Sequence, residues 1–174
     1  QPQNVHTNAG YNGSNAIAIS CGGAHTAILL EHGKVVTFGD NQYGQLAALD
    51  DNGALLGFGL EEYPRSLNYK VNSQEDSEYN HLNAVSVSCG AFHTAILLSN
   101  GRVYTFGTGD SGRLGNAKTE GNYRYLQKVS NGGGYDGSNA IGVSCGGLHT
   151  AILLNTGRTV ICGNNNNYGI LGLG

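Results

Sequence analysis

Three histidines, His25, His93 and His149, stand 68 and 56 residues apart, and each is followed by Thr-Ala-Ile-Leu-Leu. Four residues before each lies a cysteine: Cys21, Cys89 and Cys145. Imidazole is the commonest metal ligand, so a metal cluster of the three histidines is the first chemistry to weigh. Each residue, however, occurs once per copy of a longer repeat, at one fixed position in the copy. That places the histidines apart around an axis and points to a structural role, with ring nitrogens bonding backbone at the start of a strand. The three cysteines read as small buried hydrophobes. They are too far apart for disulfides, which need Cα atoms within about 7 Å. Cys162 differs, because it falls on a strand neighbouring that of Cys145 in the same copy, and Cys145–Cys162 is the one candidate bridge.

Two other motifs imitate catalytic ones. Gly107-Thr-Gly109-Asp-Ser-Gly112 fits the dinucleotide fingerprint GxGxxG, which requires a following helix. Arg113-Leu114-Gly115 follows instead, and the equivalent loops after Gly39 and Gly163 lack the middle glycine. The same stretch holds Gly109-Asp110-Ser111-Gly112, an echo of a serine-protease nucleophile loop, but the other copies place Tyr43 and Tyr168 at the Ser111 position. No nucleophile–base pair or paired carboxylate converges or repeats, so no catalytic, cofactor-binding or metal site is expected and the chain is not read as an enzyme. Asn12-Gly13-Ser14 is the single N-x-S/T sequon and makes Asn12 a candidate glycan acceptor. Asp50, Asp51, Glu61, Glu62, Glu75, Asp76 and Glu78 crowd the stretch between the first and second copies. This acidic insertion is either a solvated loop or the place for a partner or a cation.

The elements that must hold these residues are strands. Ser20 to Gly39 reads SCGGAHTAILLEHGKVVTFG, Ser88 to Gly107 reads SCGAFHTAILLSNGRVYTFG, and Ser144 to Gly163 reads SCGGLHTAILLNTGRTVICG. Ahead of each, apolar residues alternate with a period of two: Ile17, Ile19, Cys21; Val85, Val87, Cys89; Ile141, Val143, Cys145. The His-Thr-Ala-Ile-Leu-Leu strand is apolar on both faces, so it is expected to be covered on both. A turn ending in Gly33, Gly101 or Gly157 leads to a return strand, and Asn100-Gly101 is a strong hairpin signal. The flanks repeat as well: Tyr11 to Ile17 matches Tyr135 to Ile141. Gln3-Asn4-Val5 aligns with Gln127-Lys128-Val129, and Tyr69-Lys70-Val71 is assigned to the same slot in the middle copy. The whole chain, 1–174, is read as one domain with approximate repeats 1–62, 63–124 and 125–174.

The order Val-x-Cys-Gly-x-x-His-Thr-x-x-Leu, then Gly-Arg-Val-Tyr-Thr-Phe-Gly, then Gly-x-Leu-Gly resembles the RCC1 repeat. The middle copy carries all of it and closes on Gly112-Arg113-Leu114-Gly115. The first copy departs with Ala47 in place of the last glycine, and the third has Cys162 in the usual aromatic slot. The resemblance implies an all-β fold of three RCC1-like propeller blades of antiparallel strands. Propellers close with typically four to eight blades, so one chain does not close the ring. Gln1 is not an initiator Met, which reads as processing or cutting, and both ends fall at repeat boundaries, which makes the three blades look like a unit. The main expectation is therefore a structural repeat protein that self-assembles through its open blade ends, head to tail into a filament or as a closed dimer. The alternative is a protein-binding RCC1-like module, a fragment of a larger propeller that is GTPase-regulator-like or inhibitor-like.

Composition narrows the partners. The chain has 29 glycines in 174 residues, 2 prolines, 10 tyrosines and a formal net charge of −3. Glycine at this level without a collagen-like period means many tight turns between short strands. No basic patch is visible, so no nucleic-acid partner is expected. No apolar run approaches the roughly 20 residues a membrane helix needs, so no membrane insertion is expected. The remaining partners are a second copy of the chain or a protein held on the blade loops. The sequon favours an extracellular glycoprotein, against which three unpaired thiols weigh unless they are buried.

Overall fold

In the computed structural model, residues 1, 3–49, 59–67, 70–71, 74–75, 83–164 and 169–172 are described. The fold is almost wholly β. The first blade runs β1 (Ala16–Cys21), β2 (His25–Leu30), β3 (Val35–Asp40) and β4 (Leu60–Ser66), hydrogen-bonded in that order. A small hairpin follows, β5 (Lys70–Val71) and β6 (Gln74–Glu75). The second blade is β7 (Ala84–Cys89), β8 (His93–Leu98), β9 (Val103–Thr108) and β10 (Asn122–Lys128), and the third is β11 (Ala140–Cys145), β12 (His149–Leu154) and β13 (Thr159–Gly163). Within each blade successive strands are antiparallel, and the three blades form an arc rather than a ring closed by one chain.

The same sequence, HTAILL, shows what its position in the arc does to it. In the middle blade all six residues of β8 are buried. In the third blade β12 alternates, with Thr150, Ile152 and Leu154 buried and His149, Ala151 and Leu153 less so. The residues facing the second blade are covered and those facing away are not. Double-sided burial needs cover on both faces, and in the first blade part of it comes from the N-terminal segment: five of the six residues of β2 are buried, with Val5, Ala9 and Tyr11 packed against Ile28, Leu30 and Val36. Between the first two blades the core is built by Leu29, Val35 and Leu67 against Ile96, Leu98, Tyr104 and Leu126. Between the second and third it is built by Leu97 and Val103 against Tyr135, Ile152 and Leu154.

Two local assignments made from the pattern change. The fourth strand of the first blade ends in Arg65-Ser66-Leu67, whose pairing with β3 matches that of Gln127-Lys128-Val129 with β9. Tyr69-Lys70-Val71 does not fill that slot. Instead Val71 pairs in parallel with Leu126, so the insertion adds a hairpin to the outer edge of the second blade. Residues 3–7 form no strand, whereas their counterparts Gln127 and Lys128 pair with β9. The sequence repeat and the sheet are also out of phase: the boundaries after residues 62 and 124 fall inside β4 and β10.

Candidate functional site at the blade junctions

The histidines lie where the blades meet. His25 Nε2 is 2.8 Å from Thr94 Oγ1 in the next blade, and His93 Nε2 is 2.9 Å from Thr150 Oγ1 in the blade after. Each threonine hydroxyl donates its single proton back across the junction, Thr94 to the Gln45 carbonyl and Thr150 to the Arg113 carbonyl, both at 2.8 Å. A hydroxyl has one proton to give. The histidine must therefore donate from Nε2, and the threonine oxygen accepts. The expected bond to backbone at the strand start is replaced by a relay from histidine to threonine to the carbonyl of a loop in the histidine's own blade.

The rest of the ring is sealed. Nδ1 of His25 and of His93 is buried without a hydrogen-bond partner. An added Cβ on Gly90 would come within 2.2 Å of the His93 ring and 2.5 Å of the Gly146 carbonyl, so glycine after the cysteine lets the ring lie on the backbone. Burial pushes the His25 imidazole down to about 4, against the pull of the Asp40 carboxylate. Burial first, and then the nearby Arg113 charge, push His93 down to about 3. Both rings are neutral at physiological pH, which suits them to hold blades together and removes them from acid–base chemistry.

Further contacts cross the junctions, and the first of them repeats at both. The Cys89 N–H donates to Ser20 Oγ at 2.9 Å, and the Cys145 N–H donates to Ser88 Oγ at 2.8 Å. The Gly23 N–H donates to the Gly90 carbonyl, and the Ala91 N–H to the Gly147 carbonyl. At the second junction the Tyr135 hydroxyl accepts from the Val103 N–H at 2.9 Å. The serines, the threonines and this tyrosine were given no role on sequence grounds. The serines and threonines sit beside the cysteine and the histidine in all three copies, which is the available signal; the tyrosine recurs only as Tyr11 and Tyr135.

The cysteines are free. Cys89 is buried, Cys145 partly so, and Cys21 is exposed. The candidate Cys145–Cys162 bridge fails on strand count. Both residues register against Thr150, one from β11 and one from β13, so they sit two strands apart, about 10 Å. Burial pushes the thiols of Cys89 and Cys162 up to about 11 and that of Cys145 up to about 12, which keeps them protonated and unreactive. Gly109 to Gly112 is a turn with a single 3₁₀ segment, not the start of a helix, and Ser111 is exposed without a histidine beside it. No group of three or more His, Cys, Asp or Glu suited to a metal occurs among the described residues. No helix among them is long and apolar enough to cross a membrane.

The loops on the blades carry the remaining candidates. Asn12 is exposed, and its Oδ1 accepts from both the N–H and the hydroxyl of Ser14. Asp136 repeats the turn with Ser138. Of the acidic insertion, Glu61 pairs with Arg65 at 3.1 Å and Glu62 is exposed, while Asp50, Asp51, Asp76, Glu78 and the Glu75 side chain lie outside the described residues.

Comparison with known proteins agrees with the blade geometry. Two family models, both described as the regulator of chromosome condensation (RCC1) repeat, match this chain, one at residues 16–45 and 84–113 and the other at 32–97 and 100–153. The X-linked retinitis pigmentosa GTPase regulator homolog of Caenorhabditis elegans is 29% identical over 163 residues, which is 94% of this chain and 10% of that protein. The probable E3 ubiquitin-protein ligase HERC4 of Mus musculus is 33% identical over 159 residues, 90% of this chain and 13% of that protein. The chain thus spans about a tenth of the length of these relatives. Among solved structures, Prp20p from Saccharomyces cerevisiae, described with its binding properties to Gsp1p and histones, superposes with a TM-score of 0.72 at 21% identity. That match covers 94% of this chain and 36% of Prp20p, and at this identity it speaks for the fold.

Proposed function

The chain belongs to the RCC1 repeat family, and on that premise we propose that it is a propeller segment that binds a protein partner on its blade loops and catalyses no reaction itself. The observation that carries this reading is the use of the repeat histidines. His25 and His93, the groups best suited to catalysis, are neutral, sealed and spent on tying one blade to the next. What such a scaffold leaves for a partner is its loops, held at fixed spacing by rigid blades. The partner class that fits the relatives is a small GTPase: one relative is a GTPase regulator homolog.

The test is titration of the chain onto small GTPases in nucleotide-free, GDP-bound and GTP-analogue-bound forms, followed by interferometry and by nucleotide-release kinetics. Saturable binding that depends on the nucleotide state supports the reading. A folded chain that binds none of the three forms at tens of micromolar overturns the GTPase assignment.

Self-assembly is the second reading. The observation that favours it is the exposure of Ile19 on the first blade and of Leu153 on the third, apolar side chains whose counterparts are covered at the junctions.

A further inference from the structure

The loops that leave β3 and β9 are copies of one another: Gly39-Asp40-Asn41-Gln42-Tyr43-Gly44-Gln45-Leu46 and Gly107-Thr108-Gly109-Asp110-Ser111-Gly112-Arg113-Leu114. The same two bonds fix both. The Gly44 N–H donates to the Asn41 carbonyl and the Gly112 N–H to the Gly109 carbonyl, while the hydroxyls of Thr37 and Thr105 donate to the carbonyls of Leu46 and Leu114. Their interiors differ. In the first loop Asp40 supplies a carboxylate, whose Oδ1 accepts from the Gln42 N–H and whose Oδ2 accepts from the Gln45 side-chain amide, both at 3.0 Å. Asn41 Oδ1 accepts from the Leu46 N–H, and Gln45 Oε1 from the Tyr43 N–H.

In the second loop each of those three side chains is replaced. Thr108 stands for Asp40, Gly109 for Asn41 and Arg113 for Gln45. The Ser111 N–H finds a substitute acceptor in the Thr119 carbonyl, but the other groups find none. Thr108 is 3% exposed, and its hydroxyl is buried without a partner. The buried Leu114 N–H has no acceptor among the described residues. Arg113 is 5% exposed, and its hydrogen bond runs from Nε to the Asp110 carbonyl at 2.8 Å. Among the described residues its two terminal nitrogens donate to nothing and it forms no ion pair. Burial pushes its pKa below the usual arginine value, and the carboxylate of Asp110, an exposed residue of the same turn, pulls only partly back. A buried charge is costly unless it is paired, and unsatisfied buried groups in a folded protein call for a cause.

We propose that the second-blade loop is a receptor for one carboxylate, carried by an Asp or Glu side chain of a protein partner and clasped by the Arg113 guanidinium and the Thr108 hydroxyl. This rests on the reading of the chain as a module that binds protein on its blade loops, and it names the chemistry of one contact. The first loop is the template. There a single side-chain carboxylate fills the place against position 45, and Asp40 is only part-buried, so the place opens to solvent. At position 113 the group facing that place becomes a cation, whose planar fork matches the two oxygens of a carboxylate. Among the described residues nothing supplies those oxygens, so they come from outside. One acidic side chain is what the template has room for, and it is what the Arg113 charge selects.

The probes are acetyl-Gly-Asp-Gly-amide, its Asn counterpart and sodium acetate, each titrated onto the ¹⁵N-labelled chain. The Arg113 Nε–H and Leu114 N–H resonances report the site. The Asp peptide is expected to shift both saturably and the Asn peptide neither, with acetate acting only at higher concentration. Arg113→Gln, which installs the residue found at position 45, is expected to abolish the Leu114 shift. Thr108→Asp is expected to fill the place from within: it raises the melting temperature above that of Thr108→Asn and removes the response to the Asp peptide. Asp and Asn peptides that act alike, or a response that survives R113Q, overturn the site. Acetate that binds as tightly as the Asp peptide overturns the protein-borne carboxylate in favour of a free one. The titration of the parent chain decides the matter even where a variant does not fold. A silent Asp peptide overturns this site and leaves GTPase binding on other loops standing. A chain that answers the Asp peptide and binds no GTPase keeps the site and loses that partner.

Discussion

Thr94 Oγ1 sits 2.8 Å from Nε2 of His25, a residue 69 positions earlier and in the neighbouring blade. The same hydroxyl donates to the Gln45 carbonyl, so one small side chain closes a relay that starts and ends in the first blade. Removing it with little change of shape leaves a buried N–H and a buried carbonyl unpaired. Each such orphan costs about 1–3 kcal/mol. Thr94→Val is therefore expected to lower stability by about 3 kcal/mol in urea unfolding. Thr26→Val, at the half-buried counterpart whose hydroxyl makes no bond to a repeat histidine here, is expected to change stability by less than about 0.5 kcal/mol in this chain. Equal losses at both positions would mean that the hydroxyl matters within its own blade and not across the junction.

The histidines also set a pH dependence. Their folded-state pKa values, about 4 for His25 and about 3 for His93, lie below the roughly 6.5 of an unfolded histidine. The unfolded chain therefore binds more protons as pH falls, and stability present above pH 6.5 is lost progressively toward pH 4. By pH 5 the loss is about 2 kcal/mol per histidine at one pKa unit per 1.4 kcal/mol. Urea midpoints measured from pH 7.5 down to pH 5 check this, and a flat profile across that range would contradict it.

Close packing at Gly90 makes a sharper demand. A methyl group there overlaps both the His93 ring and the Gly146 carbonyl, and neither can move without opening the second junction. Gly90→Ala is expected to destabilise the chain by at least about 3 kcal/mol, beyond the usual 1–3 kcal/mol of overpacking. Gly147, whose Cβ would meet nothing within 4 Å, is the control, and Gly147→Ala is expected to leave the single-copy chain unchanged.

Ala117 tests backbone strain in the opposite direction. It is exposed and held at φ 61°, in the left-handed region. An L-residue other than glycine there costs about 1–2 kcal/mol. Ala117→Gly removes that cost without removing a buried contact and is expected to stabilise the chain by about 1 kcal/mol, read as a rise in melting temperature.

Asn12 offers a test of the modification. Secreted behind a cleavable signal from a eukaryotic host, the chain is expected to gain one N-linked glycan. Glycosidase treatment, Asn12→Gln and Ser14→Ala should each abolish the mass shift. A secreted chain of unmodified mass removes Asn12 as an acceptor.

The blades were legible because a 20-residue pattern recurs three times, with a period of two before the histidine and a glycine turn after the leucines. The junction was legible in its parts and not in its pairing. His93 and Thr94 are neighbours in the chain, yet strand alternation sends them to opposite faces and to different blades. Periodicity within one repeat carries no record of which face meets which neighbour. Cys145 and Cys162 seemed close because they share a blade, but the intervening β12 separates them. The slot given to Lys70 and Val71 belongs to Ser66 and Leu67, because the insertion brings apolar residues of its own and pattern alone does not say which run pairs with β3. Gln3 to Val5 align with residues that form a strand, but a strand needs an edge to pair with, and sequence alignment alone does not supply one.

The measurement that tests the central claim most directly is a long-range ¹H–¹⁵N correlation spectrum of the histidine rings at pH 5.5. The relay predicts that His25 and His93 are neutral there, protonated at Nε2 and bare at Nδ1, and that Thr94→Val shifts the His25 Nε2 resonance while leaving His93 unmoved. Imidazolium signals, or protonation at Nδ1, for either residue would contradict the junction as the device that holds the blades together.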